Sequence, residues 1–531
     1  MTKNSRYYLF LTALITLNAL STVCTAQTAV KDSVFKNILL NEVIVTATKT
    51  EKSIGDIPVP IQVISKKFIQ QSGSQKLIDI LQQHTGLILA DNPLGQSLQG
   101  YPNPFGSGIQ LQGLDPAYTL ILLDGEPLTG RNAGILNLGR VSVGNIKQVE
   151  IVKGPATSLY GSDALAGVIN IITEKPVSNN TSVQFHHATN NTWGITASQN
   201  IVSKKLAVNL FANRYSSSGY DLDNTLFGKT QDPHHNYSFA AKLIYQATQK
   251  TTIQTSARLF FQKQFNNYLI YPNPPKLDTV NGSTKEIDWS LNNQISHRFT
   301  DNAKIIGRVY ITGYQNNASV FLQHNNTLYD NAFLHQFLIK PELQVEFGKK
   351  HNQQLIAGVG YNYETVHSSR YASGKIINSF YSFIQKEWVF NNKLNITLGA
   401  RFDKNSLYKA QFNPKLSLAY KPTNRLTFMG SIGSGFKAPD FRQQFLSFSN
   451  AVIGYTILGA TELSNSLIKM QQLGQLSVGS NISQYINNPQ LLPEKSIGIN
   501  LGARFQASKK LCLNANFFRN DIKNLIEYYQ L

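Results

Sequence analysis

The sequence is poor in charge, in sulfur and in long apolar runs, and each shortage removes a class of protein. Charged residues make up 15% of the 531 positions, against roughly a quarter in an average soluble domain, so this is not an ordinary cytosolic surface. Aromatics at 11% are too plentiful for a disordered chain. Two cysteines, Cys24 and Cys512, exclude a disulfide scaffold, and Cys24 lies in a segment expected to be removed, which leaves a single thiol. The longest internal apolar runs, such as Leu120 to Leu123 and Val168 to Ile172, fall far short of the roughly 18 residues that a spanning helix needs. A chain of this length also exceeds one hydrophobic core, so it is multidomain or one large shell.

The N-terminus has the three parts of a secretory signal. Lys3 and Arg6 form a basic start, Tyr7 to Leu20 an apolar stretch, and Thr25-Ala26 before Gln27 a small-residue cleavage site, giving a leader over 1–26. Val23 argues against a lipoprotein anchor at Cys24, because that processing normally requires Gly, Ala or Ser there. Loss of two positive charges with the leader lowers the formal net charge from +19 to +17. The basic residues are spread along the chain without a basic run or a base-stacking module, so nucleic acid is not an expected partner. Lipopolysaccharide phosphates and an anionic ligand suit that charge better. No nucleophile motif, zinc spacing or cleft-forming carboxylate pair suggests an enzyme, and no cofactor is implied.

A linker over 27–56 carries the extended stretch Glu42-Val43-Ile44-Val45-Thr46-Ala47-Thr48. By composition this is either an edge strand or a peptide that another protein captures by strand addition. Residues 57–176 have the mixed pattern of an α+β domain. Strands are expected at Ile61 to Ile64, Ile109 to Leu111, Leu120 to Leu123 and Val149 to Val152. A helix capped by Ser74, with Leu77, Ile78 and Leu81 on one face, is expected to end at Gly86. Asp124-Gly125 signals a tight turn, and Gly100 to Gly108 and Gly130 to Gly134 read as loops.

From residue 177 onward two-residue alternation takes over. Leu394, Ile396, Leu398, Ala400 and Phe402 alternate with Asn395, Thr397, Gly399 and Arg401, and Ile497 to Phe505 repeats the pattern. A soluble sandwich would alternate in the same way. The connections separate the two, with short turns expected near Gln249, Asp301, Asn392, Thr423 and Ser508, and long loops over 216–236, 263–285 and 434–493. Tight turns on one side and long loops on the other belong to a transmembrane barrel. Tyr215, Tyr268, Tyr271, Trp388 and Tyr420 suit interfacial girdles. About fifteen strands are expected.

The block LQGLDPAYTLILLDGEPLTGR from Leu111, followed by IKQVEIVKGPATSLYGSDALAGVINIIT to Thr173, closely resembles the plug domain of the TonB-dependent receptors of Gram-negative outer membranes. The resemblance covers residues 42–531. It implies an N-terminal α+β plug inside an all-β antiparallel barrel of normally 22 strands, importing a scarce nutrient such as a ferric siderophore, haem or cobalamin. It places the box that pairs with TonB at Glu42, Val43, Ile44, Val45, Thr46 and Ala47. By matching position, the plug apices that meet ligand are Tyr101, Asn103, Phe105, Arg131 and Asn132; their aromatics and cation suit a flat anionic chelate. Gln112, Glu150 and Lys153 are expected at the foot of the plug, in contact with barrel-wall charges. Many relatives carry Arg in place of Gln112 and Lys153, so the usual arginine locks are weakened here.

Phe436-Lys437-Ala438-Pro439 and Asn488-Pro489-Gln490-Leu491 resemble paired barrel motifs of haem receptors. The haem branch places a histidine between them, and this sequence has none after His367. Tyr455 or Tyr485 would be the alternative axial ligand. No metal site is expected: the adjacent pairs His186-His187 and His234-His235 point to opposite faces of a strand, and Asp221 to Asp232 lacks the glycine and glutamate of a calcium loop. Against the family's 22 strands, Glu527-Tyr528-Tyr529-Gln530-Leu531 follows about fifteen, and a barrel short of its last strands would leave open edges in lipid. Two expectations follow, an importer whose sequence is incomplete here and a truncated product without transport.

Overall fold

A computed structural model describes residues 43–44, 46, 48–50, 52–53, 57–84, 86–91, 107–131, 134–225, 227–273, 276–348, 353–391, 393–450, 455–476, 491–508 and 511–527. The leader expected at 1–26 and the expected site positions Glu42, Val45, Ala47, Tyr101, Asn103, Phe105, Asn132, Asn488 and Pro489 lie outside them.

The N-terminal strands are β1 (Val43–Ile44), β2 (Lys52–Ser53), β3 (Ile61–Ser65), β4 (Leu87–Asp91), β5 (Ser107–Leu111), β6 (Thr119–Leu123), β7 (Glu126–Pro127), β8 (Ile146–Lys153) and β9 (Gly167–Thr173). Five of them form one sheet in the order β3-β8-β9-β6-β7, with β6 and β9 parallel and β8 and β9 antiparallel. Helices α1 (Lys66–Gln71) and α2 (Leu77–Gln82) cover one face. Ile64, Leu77, Ile80, Leu81, Val149, Ile151, Ile169 and Ile171 make the core between them. Asp124 and Gly125 both take positive φ, the backbone of a two-residue hairpin turn between β6 and β7. Helix α2 starts later than its sequence suggests: Lys76, not Ser74, precedes it and has no side-chain cap. The cause is a bridge between Lys76 and Ser142, which holds that residue extended. The buried face accordingly uses Leu77, Ile80 and Leu81, with Ile78 at its edge.

Fifteen strands then form one antiparallel sheet. They are β10 (Asn180–Ala188), β11 (Thr192–Val202), β12 (Leu206–Ser217), β13 (His234–Gln246), β14 (Thr251–Asn273), β15 (Lys276–Thr300), β16 (Ala303–Leu322), β17 (Leu328–Phe347), β18 (Gln353–Ser368), β19 (Lys375–Phe390), β20 (Leu394–Asn405), β21 (Gln411–Thr423), β22 (Leu426–Lys437), β25 (Glu494–Gln506) and β26 (Cys512–Lys523). Between β22 and β25 the chain inserts helix α4 (Phe441–Phe445), the hairpin of β23 (Ser447–Asn450) and β24 (Tyr455–Leu458), and helix α5 (Leu463–Gln472). A short helix, α3 (Thr157–Tyr160), belongs to the plug. Among the described residues β10 and β26 pair with one neighbour each and not with one another, so the barrel is not closed.

The alternation runs with its polarity reversed relative to a soluble sandwich. In β20, Leu398 and Phe402 are 51% and 39% exposed, whereas Asn395, Thr397, Arg401 and Asp403 are buried. In β25, Ile497 and Leu501 are 53% and 54% exposed, and Asn500 is wholly buried. An apolar outside around a polar inside is the pattern of a transmembrane barrel. All five expected short turns fall between consecutive strands. The loop expected over 263–285 is instead a continuation of β14 and β15, paired through Phe265↔Ser283 to Ile270↔Asp278. Its polar residues pair through their backbones as readily as apolar ones, so composition alone does not end a strand. Tyr268, expected in a girdle, faces the interior beside Val280, its register partner.

Candidate functional site

Among the described residues, two large cavities lie between plug and barrel wall. One, of about 940 Å³, is lined by plug residues including Thr129 to Arg131 and by the long-loop ends of strands between β14 and β22. The other, of about 690 Å³, opens among the turns at Arg298 to Lys304 and at Phe347-Gly348. Lys49, Gly125 and Tyr160 line both.

Thr46 is fully buried. Its N–H and hydroxyl both donate to Glu150 Oε2, at 2.8 and 2.5 Å. Tyr160 donates its hydroxyl to the Thr46 carbonyl at 2.8 Å, and Asn170 Nδ2 donates to Thr46 Oγ1 at 2.8 Å. Burial, reinforced by the nearby Glu150 carboxylate, pushes the Tyr160 phenol up and keeps it a donor. Strand order explains the cage, since β8 is flanked by β3 and β9, and Glu150 and Asn170 are register partners across the β8–β9 pair. Val43 and Ile44, in the segment expected to be the box, pair antiparallel with Ser53 and Lys52 as a short hairpin.

Two lysines tie this hairpin to the wall. Lys49 Nζ lies 3.1 Å from Glu342 on β17 and 4.1 Å from the centre of the Phe383 ring. Lys52 pairs with Glu387 on β19. Burial lowers Lys49 from its ordinary value near 10.5 to about 8, against the opposing pull of Glu342. Glu342 also binds Arg308 at 2.9 Å and accepts from Tyr381 at 2.9 Å, and Arg308 and Lys340 converge on the plug carboxylate Glu126. Elsewhere Arg140 of the plug pairs with Asp288 at 3.1 Å beside Arg258, and Asp124 pairs with Lys242 at 2.9 Å. Burial alone would raise the Asp124 carboxyl, but Lys242 and Thr173 hold it below its ordinary value. Sequence reading singled out none of these wall charges, because a Lys or Glu inside a barrel strand has no local signature.

The three residues expected at the foot of the plug separate. Gln112 Nε2 donates to Asn500 on β25 at 2.7 Å. Glu150 turns inward to Thr46 and accepts from Gln148 at 2.7 Å. Lys153 lies over Gly86, with no ion pair to the wall among the described residues. Arg131 lines the large cavity; its guanidinium donates to the carbonyls of Pro116, Thr119 and Gly134 and lies 4.0 Å from Asp163. Of the barrel motifs, Phe436, Ala438 and Pro439 line the cavity, the Ala438 N–H donates to Ser162 of the plug at 3.0 Å, and Lys437 stands 5.8 Å from the centre of the Tyr118 ring. Leu491 precedes β25.

Residues 53–168 match the family model described as TonB-dependent Receptor Plug Domain, and residues 261–531 match TonB dependent receptor-like, beta-barrel. An iron-regulated outer membrane virulence protein of Vibrio cholerae is 24% identical over 516 residues, covering 91% of this chain and 69% of that protein. The vitamin B12 transporter BtuB of Vibrio vulnificus is 23% identical, over 76% of this chain and 63% of its own length. Among solved structures, a ferric enterobactin receptor of Pseudomonas aeruginosa superposes with a TM-score of 0.67 at 19% identity, covering 91% of this chain and 73% of that one.

Proposed function

Because the chain belongs to the TonB-dependent receptor family, a family of outer-membrane β-barrels, we propose that it imports a ferric siderophore or similar metal chelate, driven by the proton-motive force through TonB. The observation that carries this reading is the position of Thr46. A box residue is caged by Glu150, Tyr160 and Asn170, and Tyr160 also lines a cavity large enough for a chelate. Ligand enters the larger cavity and is held between plug and wall. TonB captures the 42–48 strand by backbone pairing, and the pull withdraws Lys49 and Lys52 from Glu342 and Glu387. Since Lys49 lines both cavities, its departure joins them. Buried ion pairs suit a contact that must separate, because each charged partner is left in a polar, hydratable cleft.

Replacing Ile44 by Pro removes a backbone donor from the box hairpin. Uptake of a radio-iron chelate by whole cells is expected to fall to background with surface binding unchanged. Equal loss of binding and uptake would remove the coupling role from this segment.

A further inference from the structure

The charge balance of the large cavity specifies the kind of chelate, an inference that rests on the receptor reading above. Its wall carries six acids, Asp163, Asp330, Glu342, Glu364, Asp403 and Asp440, and six bases, Lys49, Arg131, Lys340, Arg370, Arg401 and Arg442. The chain as a whole carries +19, so its positive excess is directed elsewhere. Segments 92–106, 132–133, 451–454 and 477–490 contain no Asp, Glu, Lys, Arg or His, and add no charge wherever they lie.

The cations are also already engaged. Arg401 forks onto Asp403 at 2.8–2.9 Å, donates to the Leu159 carbonyl at 3.2 Å, and stacks its face on Tyr381 at 4.0 Å. Arg370 pairs with Asp330 at 3.2 Å and stacks on Phe448 at 4.0 Å. Arg131 is spent on three plug carbonyls. Lys340 is held by Glu126 and Lys49 by Glu342. Two acids serve the fold: Asp440 caps α4 through the Gln443 N–H, and Glu364 accepts from Gln336. A multiply charged anion entering here would have to take a cation from an existing carboxylate, leaving that carboxylate unpaired beside a like charge. What the wall does offer is neutral hydrogen bonding, from Asn266, Asn316, Asn362 and Asn405, over an aromatic surface including Tyr314 and Tyr408.

We propose that the cavity recognises an electroneutral iron(III) chelate of the trihydroxamate type and discriminates against trianionic tricatecholates. The carbonyl and N–O oxygens of such a ligand match the amide donors, and its lack of net charge leaves the wall pairs intact.

The test is fluorescence-quenching titration of the full receptor, purified from outer membrane, with a ferric trihydroxamate and a ferric tricatecholate at low and high sodium chloride. The expected result is trihydroxamate affinity at least tenfold higher and insensitive to salt, since no ion pair forms on binding. Tighter tricatecholate binding that weakens steeply with salt would overturn the inference and leave the receptor reading standing. Binding of neither probe would overturn both. Asp330→Asn, which frees Arg370 at a partly exposed position, is expected to raise tricatecholate affinity severalfold and make it salt-dependent. No gain would contradict the idea that internal pairing excludes the anion.

Discussion

Lys49 concentrates the coupling problem in one side chain. It ties the N-terminal hairpin to the wall through Glu342, sits over Phe383, and borders both cavities. Burial holds its docked ammonium at about 8, while a released, hydrated Lys49 titrates near 10.5. Between those two values the released form carries the extra proton, so docking strengthens as pH rises from about 8 to about 10.5 and is weakest at lower pH. A spin label at Val43→Cys should therefore lose mobility over that interval, and Lys49→Met should flatten the profile. A label whose mobility ignores pH in both proteins would contradict the burial of this ammonium. Glu150 makes a complementary point about reading a sequence. Its position in the plug motif was visible, but the direction of its side chain depends on the pairing of β8 with β3 and β9, which brings Asn170 across from it.

Strands are where the sequence was most legible. Their count and every anticipated short turn follow from period-two alternation broken by small polar residues, as at Asp301-Asn302 between β15 and β16. Which face is apolar toward lipid is not legible from alternation, because Leu398 and Thr397 would read identically in a sandwich. Tertiary context decides it, by placing Thr397 against the plug side and Leu398 outside. This predicts an asymmetry between neighbours in β20. Leu398→Arg should cost about 2–4 kcal/mol, the depth-dependent penalty for a cation facing lipid, and should sharply reduce the folded, heat-modifiable form in outer membranes. Leu398→Ala should retain it. Equal folding of the Arg variant would contradict the outward orientation of this residue. The β14–β15 hairpin escaped sequence reading for the reason that hid α2's start: both boundaries are set by backbone partners distant in sequence or across a turn, Ser283 for Phe265 and Ser142 for Lys76.

At the scale of the whole molecule, plug and barrel meet through charge and amide pairs more than through a shared apolar core. Arg140, Asp288 and Arg258 are the most deeply buried example, with Asp288 the single carboxylate between two guanidinium groups. Asp288→Asn leaves both cations short of a partner, and breaking such a set typically costs roughly 3–5 kcal/mol. The plug should then dock less tightly, seen as increased entry of a large antibiotic normally excluded by the outer membrane, with no change in barrel folding. The cavity itself was the least legible feature. Its wall draws on β14 to β22 and the α4 segment, and no local pattern announces that Asp330, Arg401 and Phe448 share one space. Phe436 to Pro439 was the exception, because a motif marked it.

The proposed coupling requires that the segment be sequestered at rest and released in use. Thr48, fully buried and bonded among the described residues to Thr50 of its own turn, is a gentle position at which to test it. With Cys512 replaced by Ser, the rate at which a periplasmic maleimide labels Thr48→Cys should be at least tenfold lower in resting cells than in energised cells supplied with ferric trihydroxamate, and a protonophore should restore the slow rate. Rapid labelling in resting cells, unaffected by ligand or energy, would contradict it.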